Sequence, residues 1–505
     1  MSFLNRLRSA IGDPSEATTG PVTGLTSRLG STSAYSPSGF SPATAGLGSS
    51  SVGRRFSVYG TEDRVVLDIG SHALRCGFSG EPHPRQVIPL YHDLRWNPRP
   101  ALPFTADPQT ARAAAAVVAS EVFDQRRETG QALYSLRIHE LDPDRLRHLL
   151  AHYLRRVFSE VLMTDPKLRK VLICDAPLCP LPLKRAVAEV LFAQFEVSAL
   201  VYFPTPSLAL LTAGTTNGLV IDCGHLETTV VPVFESHALI HHTRTTPVAG
   251  RALGIHLQDL LLTHTTLTAL PTDGTDIDSA LTPVLPSLEE VLTEAVVEDI
   301  KTRLLFASPV HAGFAETNPS ADDRTRWYRD TTTAADTTYT LTHPSPTDST
   351  STTLPRQRYA LVVPGWIRER AAEILFRGDE EQDMAGIPNT ILDALLRAPI
   401  DLRQLLSTSL LIVGGTAMLP NFAARLHLEL QHLLLHQPRY RSALRHLAEH
   451  LEFLDDKTNG QLFSRNLRVW VGGSLMGSLR CPGAEISRTD FNEQPLPDWT
   501  APGEV

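Results

Sequence analysis

The sequence has few cysteines and no long apolar run. Its 505 residues include five cysteines, an odd number, scattered rather than grouped in Cys-x-x-Cys pairs. This pattern excludes a disulfide framework and a paired zinc signature, so a reducing compartment fits best. No stretch reaches the roughly 18 consecutive apolar residues of a membrane-spanning helix. The first residues also lack the apolar core of a secretory signal, so we expect neither a membrane span nor secretion. The cysteines are Cys76, Cys174, Cys179, Cys223 and Cys481.

An excess of basic residues is also absent. The chain has 46 Lys and Arg against 55 Asp and Glu, which gives a net charge of −9. Because nucleic-acid phosphates are bound by basic surfaces, we expect no nucleic-acid partner. The composition is otherwise that of a globular protein, with 42% apolar and 20% charged residues. The length is sufficient for two or more lobes around substantial cores.

Two segments are too polar to build a core. Ser, Thr, Gly and Pro dominate residues 1–60, which we expect to be a disordered head. Only its first dozen residues, with Phe3, Leu4 and Leu7 on one helical face, form a short amphipathic segment. Residues 309–353 are similarly rich in Thr, Ser and Pro and predict a polar surface insertion between structured segments.

Between these segments, predicted strands alternate with predicted helices. Short runs of Val, Ile and Leu predict strands, whereas apolar residues spaced three or four apart predict helices. The alternation indicates the α/β class. The predicted strands are residues 64–69, 171–174, 219–221, 228–234, 410–413 and 467–471, and the predicted helices are 141–162, 183–195, 288–305 and a segment after Pro420.

Two of the predicted strands end in the same Asp-x-Gly turn. Val65–His72 reads Val-Val-Leu-Asp-Ile-Gly-Ser-His, and Leu219–His225 reads Leu-Val-Ile-Asp-Cys-Gly-His. The glycine permits a sharp turn that presents backbone N–H groups. The aspartates, Asp68 and Asp222, stand where a carboxylate can meet a cation or its bound water.

Two glycine pairs follow later in the chain. Gly414-Gly415-Thr416 comes after the run 410–413, and Gly472-Gly473-Ser474 comes after the run 467–471. A strand, a glycine pair and then a helix allow a backbone to approach a nucleotide closely, beside a helix N-terminus. Each motif alone is most often only a tight turn. Their order and spacing together are more specific.

This ordered set of motifs resembles the actin family over roughly residues 62–495, the polar insertion excepted. The resemblance implies an α/β, actin-like, two-lobed fold, in which duplicated ribonuclease-H-like domains enclose a nucleotide cleft. It places the first lobe at 61–214, the second at 215–481, and a returning C-terminal segment at 482–505. The motifs that carry the resemblance are Gly77–Gly80, Ala176–Leu178, Val231–Val233, Leu411–Pro420, Trp470–Ser474 and Ile486–Phe491.

The same resemblance implies a set of nucleotide-binding residues. The cofactor it implies is ATP or ADP with magnesium, held as a structural group, and Asp68 and Asp222 would contact the metal through bound water. The alternative is an empty cleft filled by His72, His225 and Leu226. The implied nucleotide-binding residues are Asp68, Gly70, Ser71, Arg75, Asp222, Gly224, Lys301, Gly414, Gly415, Thr416 and Met418.

Several positions depart from the family pattern. His72 stands where actins have glycine, and Arg75 replaces the loop lysine. The histidine and glutamine that position the attacking water in actins correspond to Thr229 and Thr205. Because hydrolysis needs a water held in line with the phosphoryl group, we expect no catalytic residues and no enzyme activity.

Within the family, the pattern is most similar to the divergent actin-related protein that caps the pointed end of the dynactin minifilament. This implies a cytoplasmic, cytoskeletal protein that supports dynein-based transport on microtubules. Its partners would be dynactin's filament-forming actin-related protein and the other pointed-end subunits. We do not expect it to self-polymerise, because the family's filament-docking loop after Pro89 is not recognisable. Two alternatives remain: a nuclear actin-related subunit of a chromatin-remodelling complex, and an active ATPase of the actin, Hsp70 and sugar-kinase superfamily.

Overall fold

A computed structural model describes the chain over residues 64–90, 143–270, 286–308, 321–344, 356–379, 383–457, 463–479, 481, 483–493 and 495–500. All of them belong to one compact unit, Ser57–Val505. The predictions for the head and for the missing filament-docking loop lie outside the described residues, as do residues 309–320 and 345–353 of the polar insertion.

The first sheet has six strands in the order β16-β5-β4-β1-β2-β3. Strand β1 pairs antiparallel with β2 and parallel with β4, which in turn pairs parallel with β5. The central strands are apolar on both faces because helices cover both sides of the sheet. The strands are β1 (Val65–Ile69), β2 (Ala73–Phe78), β3 (Gln86–Pro89), β4 (Lys170–Asp175), β5 (Ala199–Pro204) and β16 (Ala484–Ser487).

The second sheet repeats the centre of the first. Its order is β15-β6-β7-β8, with β9 paired to β7. Strand β6 pairs antiparallel with β7 and parallel with β15, as β1 does with β2 and β4. The predicted strands 219–221, 228–234 and 410–413 are therefore confirmed. The strands are β6 (Gly218–Cys223), β7 (Thr228–Phe234), β8 (His237–Ala238), β9 (Arg244–Thr246) and β15 (Leu410–Val413).

The outer part of the second lobe holds two small sheets, in the orders β10-β12-β11 and β13-β14. One strand and one helix, Thr337–Pro344 and Ala321–Thr331, fall inside the segment predicted as a polar insertion. That segment therefore contributes elements of its own, because strand pairing compensates for its polar sequence. The strands are β10 (Leu267–Ala269), β11 (Thr337–Pro344), β12 (Arg356–Val363), β13 (Gly378–Asp379) and β14 (Met384–Ala385).

Helices pack on both sheets. The predicted helix 141–162 is observed as α1, which continues as a π-helical turn over Arg156–Val161, and the predicted helix 288–305 is split in two after Val291. The described helices are α1 (Pro143–Arg155), α2 (Leu181–Ala193), α3 (Thr205–Thr212), α4 (Gly250–His264), α5 (Leu288–Val291), α6 (Glu294–Leu304), α7 (Ala321–Thr331), α8 (Gly365–Arg370), α9 (Glu373–Arg377), α10 (Ile387–Arg397), α11 (Ile400–Ser407), α12 (Phe422–His436), α13 (Pro438–Leu444), α14 (Leu454–Lys457) and α15 (Arg468–Ser478).

One predicted strand is wrong. Residues 467–471 begin helix α15, which includes the second glycine pair. A Cβ on Gly472 would lie 2.1 Å from the Leu208 carbonyl oxygen, and a Cβ on Gly473 would lie 2.7 Å from Cys174 Sγ. The glycines therefore allow a helix to pack directly on α3 and β4. Because such a helix is buried on several sides, its sequence lacks amphipathic periodicity and resembles a strand.

Helices α3 and α15 lie between the two sheets. On α3, Leu208 packs with the first sheet and Trp470, whereas Leu210 packs with the second sheet. Trp470 Nε1 donates to the Val66 carbonyl oxygen at 3.2 Å. Helix α15 also bonds to the second sheet, because Arg468 Nη1 donates to the Ile412 carbonyl oxygen at 3.0 Å. The helix therefore joins the two sheets.

Candidate functional site

Two hairpin turns, each closed by the same type of backbone hydrogen bond, face each other in the cleft. Between β1 and β2, the Gly70 N–H donates to the Ala73 carbonyl oxygen at 3.1 Å; between β6 and β7, the Gly224 N–H donates to the Glu227 carbonyl oxygen at the same distance. The Asp-x-Gly motif that occurs twice in the sequence therefore forms the same turn twice in the structure. Among the predicted residues, Gly70 and Gly224 shape these turns.

Two histidines meet across the cleft, one from each turn. The His72 and His225 rings have centroids 4.7 Å apart, and His72 Nε2 lies 3.9 Å from Glu298 Oε1 on α6. Burial is the main cause that lowers the pKa of His225, to about 3, and it also lowers the pKa of His72. Both rings are therefore neutral at pH 7 and pack as a pair, which we call the histidine pair.

Asp68 bonds to a side chain of its own hairpin. It stands opposite Arg75 in the register of β1 and β2, and Arg75 Nη1 donates to Asp68 Oδ2 at 2.9 Å. Directly opposed cross-strand side chains are close enough for such a pair. Arg75 thus contacts one oxygen of the carboxylate that the sequence pattern assigned to a hydrated cation.

Asp222 has a different partner across its hairpin. The residue opposite it in the register is Thr229, which carries no charge. Burial, and then the nearby charge of Asp68, raises the pKa of Asp222 to about 6, while the charge of Arg75 opposes this rise. The two candidate metal-binding carboxylates therefore share one neighbouring guanidinium.

The first glycine pair follows β15 and contacts the second turn. Gly414 has a φ of +100°, and a Cβ there would lie 2.2 Å from the Cys223 carbonyl oxygen and 2.8 Å from Asp222 Oδ1, so only glycine fits. Thr416 Oγ1 donates to the Gly224 carbonyl oxygen at 2.7 Å. The hydrogen bond of Thr416 and the close approach of Gly414 therefore hold this loop against the second turn.

The outer residues of the predicted site lie further along the same loop. A Cβ on Gly415 would meet open space, and Met418 is 47% exposed. The Ser464 hydroxyl lies 3.4 Å from Met418 Sδ. Gly415 and Met418 thus border solvent at the edge of the cleft.

Lys301 of α6 is buried and bound within the protein. Its Nζ donates to the Gly250 carbonyl oxygen at 3.1 Å and forms an ion pair with Glu298. Its charge therefore has a carboxylate partner one helical turn away.

The N-terminus of α4 is a feature that sequence reasoning missed. The Gly250 N–H donates to the Gly224 carbonyl oxygen at 3.2 Å, and the Arg251 N–H donates to the His225 carbonyl oxygen at 2.7 Å. The first N–H groups of a helix are a ready-made anion site, yet here they hold the second turn. The signal available in the sequence for this helix N-terminus was Gly250, which stands at the start of a run of periodic apolar residues.

A small cavity lies beside Asp222, between the two sheets. Thr205 and Thr229, the positions that correspond to the water-positioning residues of actins, both line it, together with Pro177. Its volume of about 30 Å³ has room for water. Two threonine hydroxyls replace the imidazole and amide that the family pattern has there.

The residues of the cleft do not fit a magnesium nucleotide. The side chains of Asp68, Lys301 and Thr416 are bonded within the protein, and the histidine pair lies between the two turns. Among the described residues, no group of three or more His, Cys, Asp or Glu side chains is placed to hold a metal ion. The side chains of Asp68, Lys301 and Thr416 thus bond within the protein, whereas Arg75 Nε is buried without a hydrogen-bond partner among the residues that the structure describes.

Comparisons with known proteins agree with this architecture. The sequence profile of the family described as Actin matches residues 60–496. Actin-related protein 10 of Dictyostelium discoideum is 24% identical to this chain over 438 residues, and the alignment covers 83% of each protein. None of the helices in the described part of the chain combines the length and apolar character needed to cross a membrane. The expected actin-like α/β fold is confirmed, and the chain belongs to the actin family.

Proposed function

We propose that this chain is a non-catalytic, actin-related structural subunit that caps the pointed end of the dynactin minifilament. In that position it supports dynein-based transport along microtubules. The observation that carries the proposal is the similarity to an Actin-related protein 10 over 83% of both chains, together with the match of residues 60–496 to the actin family. Its partners are then dynactin's filament-forming actin-related protein and the other pointed-end subunits, in the cytoplasm.

The non-catalytic part of the proposal is supported by the cleft. Hydrolysis of a nucleotide requires a water that is oriented for in-line attack and charge stabilisation on the phosphoryl oxygens. Thr205 and Thr229 line the cavity beside Asp222 where such a water would be oriented, and neither hydroxyl is a base at neutral pH. The chain therefore acts through its surfaces.

Affinity purification tests the assembly. The full-length tagged chain is isolated from its own cells, and the co-purified proteins are identified by mass spectrometry, with an untagged strain as the control. We expect the filament and shoulder subunits of dynactin. Nuclear concentration of the tagged chain and recovery of a chromatin-remodelling ATPase would contradict the proposal.

Phosphate release tests the absence of catalysis. Purified wild-type chain and Asp222→Asn are incubated with magnesium ATP, and conventional actin serves as the active control. We expect the wild type and the variant to match the buffer background. Release by the wild type that Asp222→Asn abolishes would assign the chain to the active ATPases of this superfamily.

A further inference from the structure

We infer that the cleft of this chain is closed by its own side chains, with the histidine pair and the Arg75–Asp68 pair standing in place of a magnesium nucleotide. In this arrangement the lobes need no bound nucleotide to stay together. The inference concerns the cleft alone and holds whether or not the chain joins dynactin.

The first step is the position of the histidine pair. His72 and His225 each belong to a glycine turn of the kind whose N–H groups bind phosphate oxygens. The centroids of their rings are 4.7 Å apart. The gap between the turns is therefore filled by two imidazoles. A phosphate chain could enter this gap only if at least one ring moved away.

The second step is the electrostatics of the pair. A phosphate site requires positive charge, but burial lowers the pKa of both histidines, so the rings are neutral at pH 7. Nearby, the charge of Lys301 is already balanced by Glu298. The gap thus has the contacts of a packed interface rather than those of an anion site.

The third step is the cation. A hydrated magnesium ion would bridge Asp68 and Asp222 to phosphate oxygens. Arg75 Nη1 instead donates to Asp68 at 2.9 Å, with the two side chains only 16% and 11% exposed. An arginine head is planar and permanently charged, so it remains in place without any bound ion.

The fourth step is the state of the backbone donors. The N–H groups of Gly70 and Gly224 close their own turns, and those of Gly250 and Arg251 bind the second turn. These four donors are thereby used to fix the turns. The second turn is held from two further sides, by Thr416 and by the α4 N-terminus.

The test is to measure the nucleotide content and thermal stability of the purified full-length chain. Protein prepared without added nucleotide is denatured, and the supernatant is analysed by chromatography at 260 nm. Melting is then followed with EDTA, with magnesium ATP and with neither, and nucleotide-bound actin serves as the positive control. We expect no released nucleotide and the same Tm in all three conditions. Release of one equivalent of ATP or ADP, or a Tm that falls with EDTA, would overturn the inference.

Two matched double variants distinguish the contribution of the cleft histidines to Tm from a general effect of removing two neighbouring histidines. His72→Ala/His225→Ala removes the histidine pair, whereas His432→Ala/His436→Ala removes two exposed rings that also lie 4.7 Å apart, on α12. We expect the cleft variant to melt at a lower temperature than the wild type and the α12 variant to melt unchanged. Equal melting of all three proteins would show that the histidine pair does not hold the lobes, and would also overturn the inference. Recovery of dynactin subunits is measured separately, so failure here leaves the proposed assembly intact.

Discussion

At the scale of single residues, the histidine pair makes stability depend on pH. Burial lowers the pKa of His225 to about 3, below the value of 6.5 that it regains on unfolding. The unfolded state therefore binds the proton more tightly. The stability is complete above about pH 6.5 and is lost as the pH falls from there towards 3. The charged and titratable groups that act on the pair are Lys301, Arg251, Arg75, Glu294 and Glu298.

We predict that lowering the pH from 7.5 to 5.5 reduces the free energy of unfolding by about 1 kcal/mol through His225 alone. The measurement is urea denaturation at both pH values for the wild type and for His225→Leu, which cannot take up the proton. The pH dependence of the variant should be smaller by that amount. If the two proteins lose equal stability, His225 is not held neutral by the fold.

At the scale of elements, strands that end at a glycine turn can be predicted from the sequence, whereas the buried helix α15 cannot. Strands β1, β6 and β15 were predictable because each is a short Val, Ile and Leu run that ends at a glycine turn. Local pattern and turn chemistry suffice for such features. The Asp68–Arg75 pair instead depends on the register of β1 and β2, whereas the sequence pattern assigned Asp68 to a hydrated cation.

Contacts between distant segments could not be predicted in this way. His72 and His225 are far apart in the chain, and nothing in either turn indicates that their rings meet. The same holds for α15, whose glycines are explained only by their neighbours on α3 and β4. Such contacts depend on how the two lobes pack, which the residue pattern does not specify. For the same reason, the sequence does not specify that Lys301 donates to the Gly250 carbonyl oxygen.

The close packing of α15 leads to a prediction on two helical glycines. Gly472→Ala places a methyl group 2.1 Å from a backbone oxygen of α3, whereas Gly254→Ala on α4 meets nothing within 4 Å. We expect Gly472→Ala to destabilise the protein by about 3 kcal/mol. Gly254→Ala should instead stabilise it by about 0.5–1 kcal/mol, because alanine loses less entropy in a helix. Chemical denaturation of both variants measures this, and equal effects would refute the packing argument.

At the scale of the whole molecule, the lobes share a helix rather than only a hinge. Leu208 and Leu210 of α3 are each 1% exposed, and they pack into different clusters, one beneath each sheet. Helix α15 packs against α3 and donates from Trp470 to the first sheet. A substitution on either face of α3 therefore destabilises both lobes. We expect the lobes to unfold together as one cooperative unit.

We predict that Leu208→Ala and Leu210→Ala each destabilise both sheets, by about 2–5 kcal/mol, although each leucine contacts only one of them. The measurement is hydrogen exchange followed by mass spectrometry, with peptides from β4 reporting on the first sheet and peptides from β6 on the second. In a cooperative unit both variants accelerate exchange in both sets of peptides by similar factors, because exchange of the most protected amides requires global unfolding. If Leu208→Ala accelerates exchange only in β4, and Leu210→Ala only in β6, the lobes unfold separately and the cleft contacts do not couple them. We expect the first outcome, because α3 packs into both clusters and the histidine pair makes a contact across the cleft.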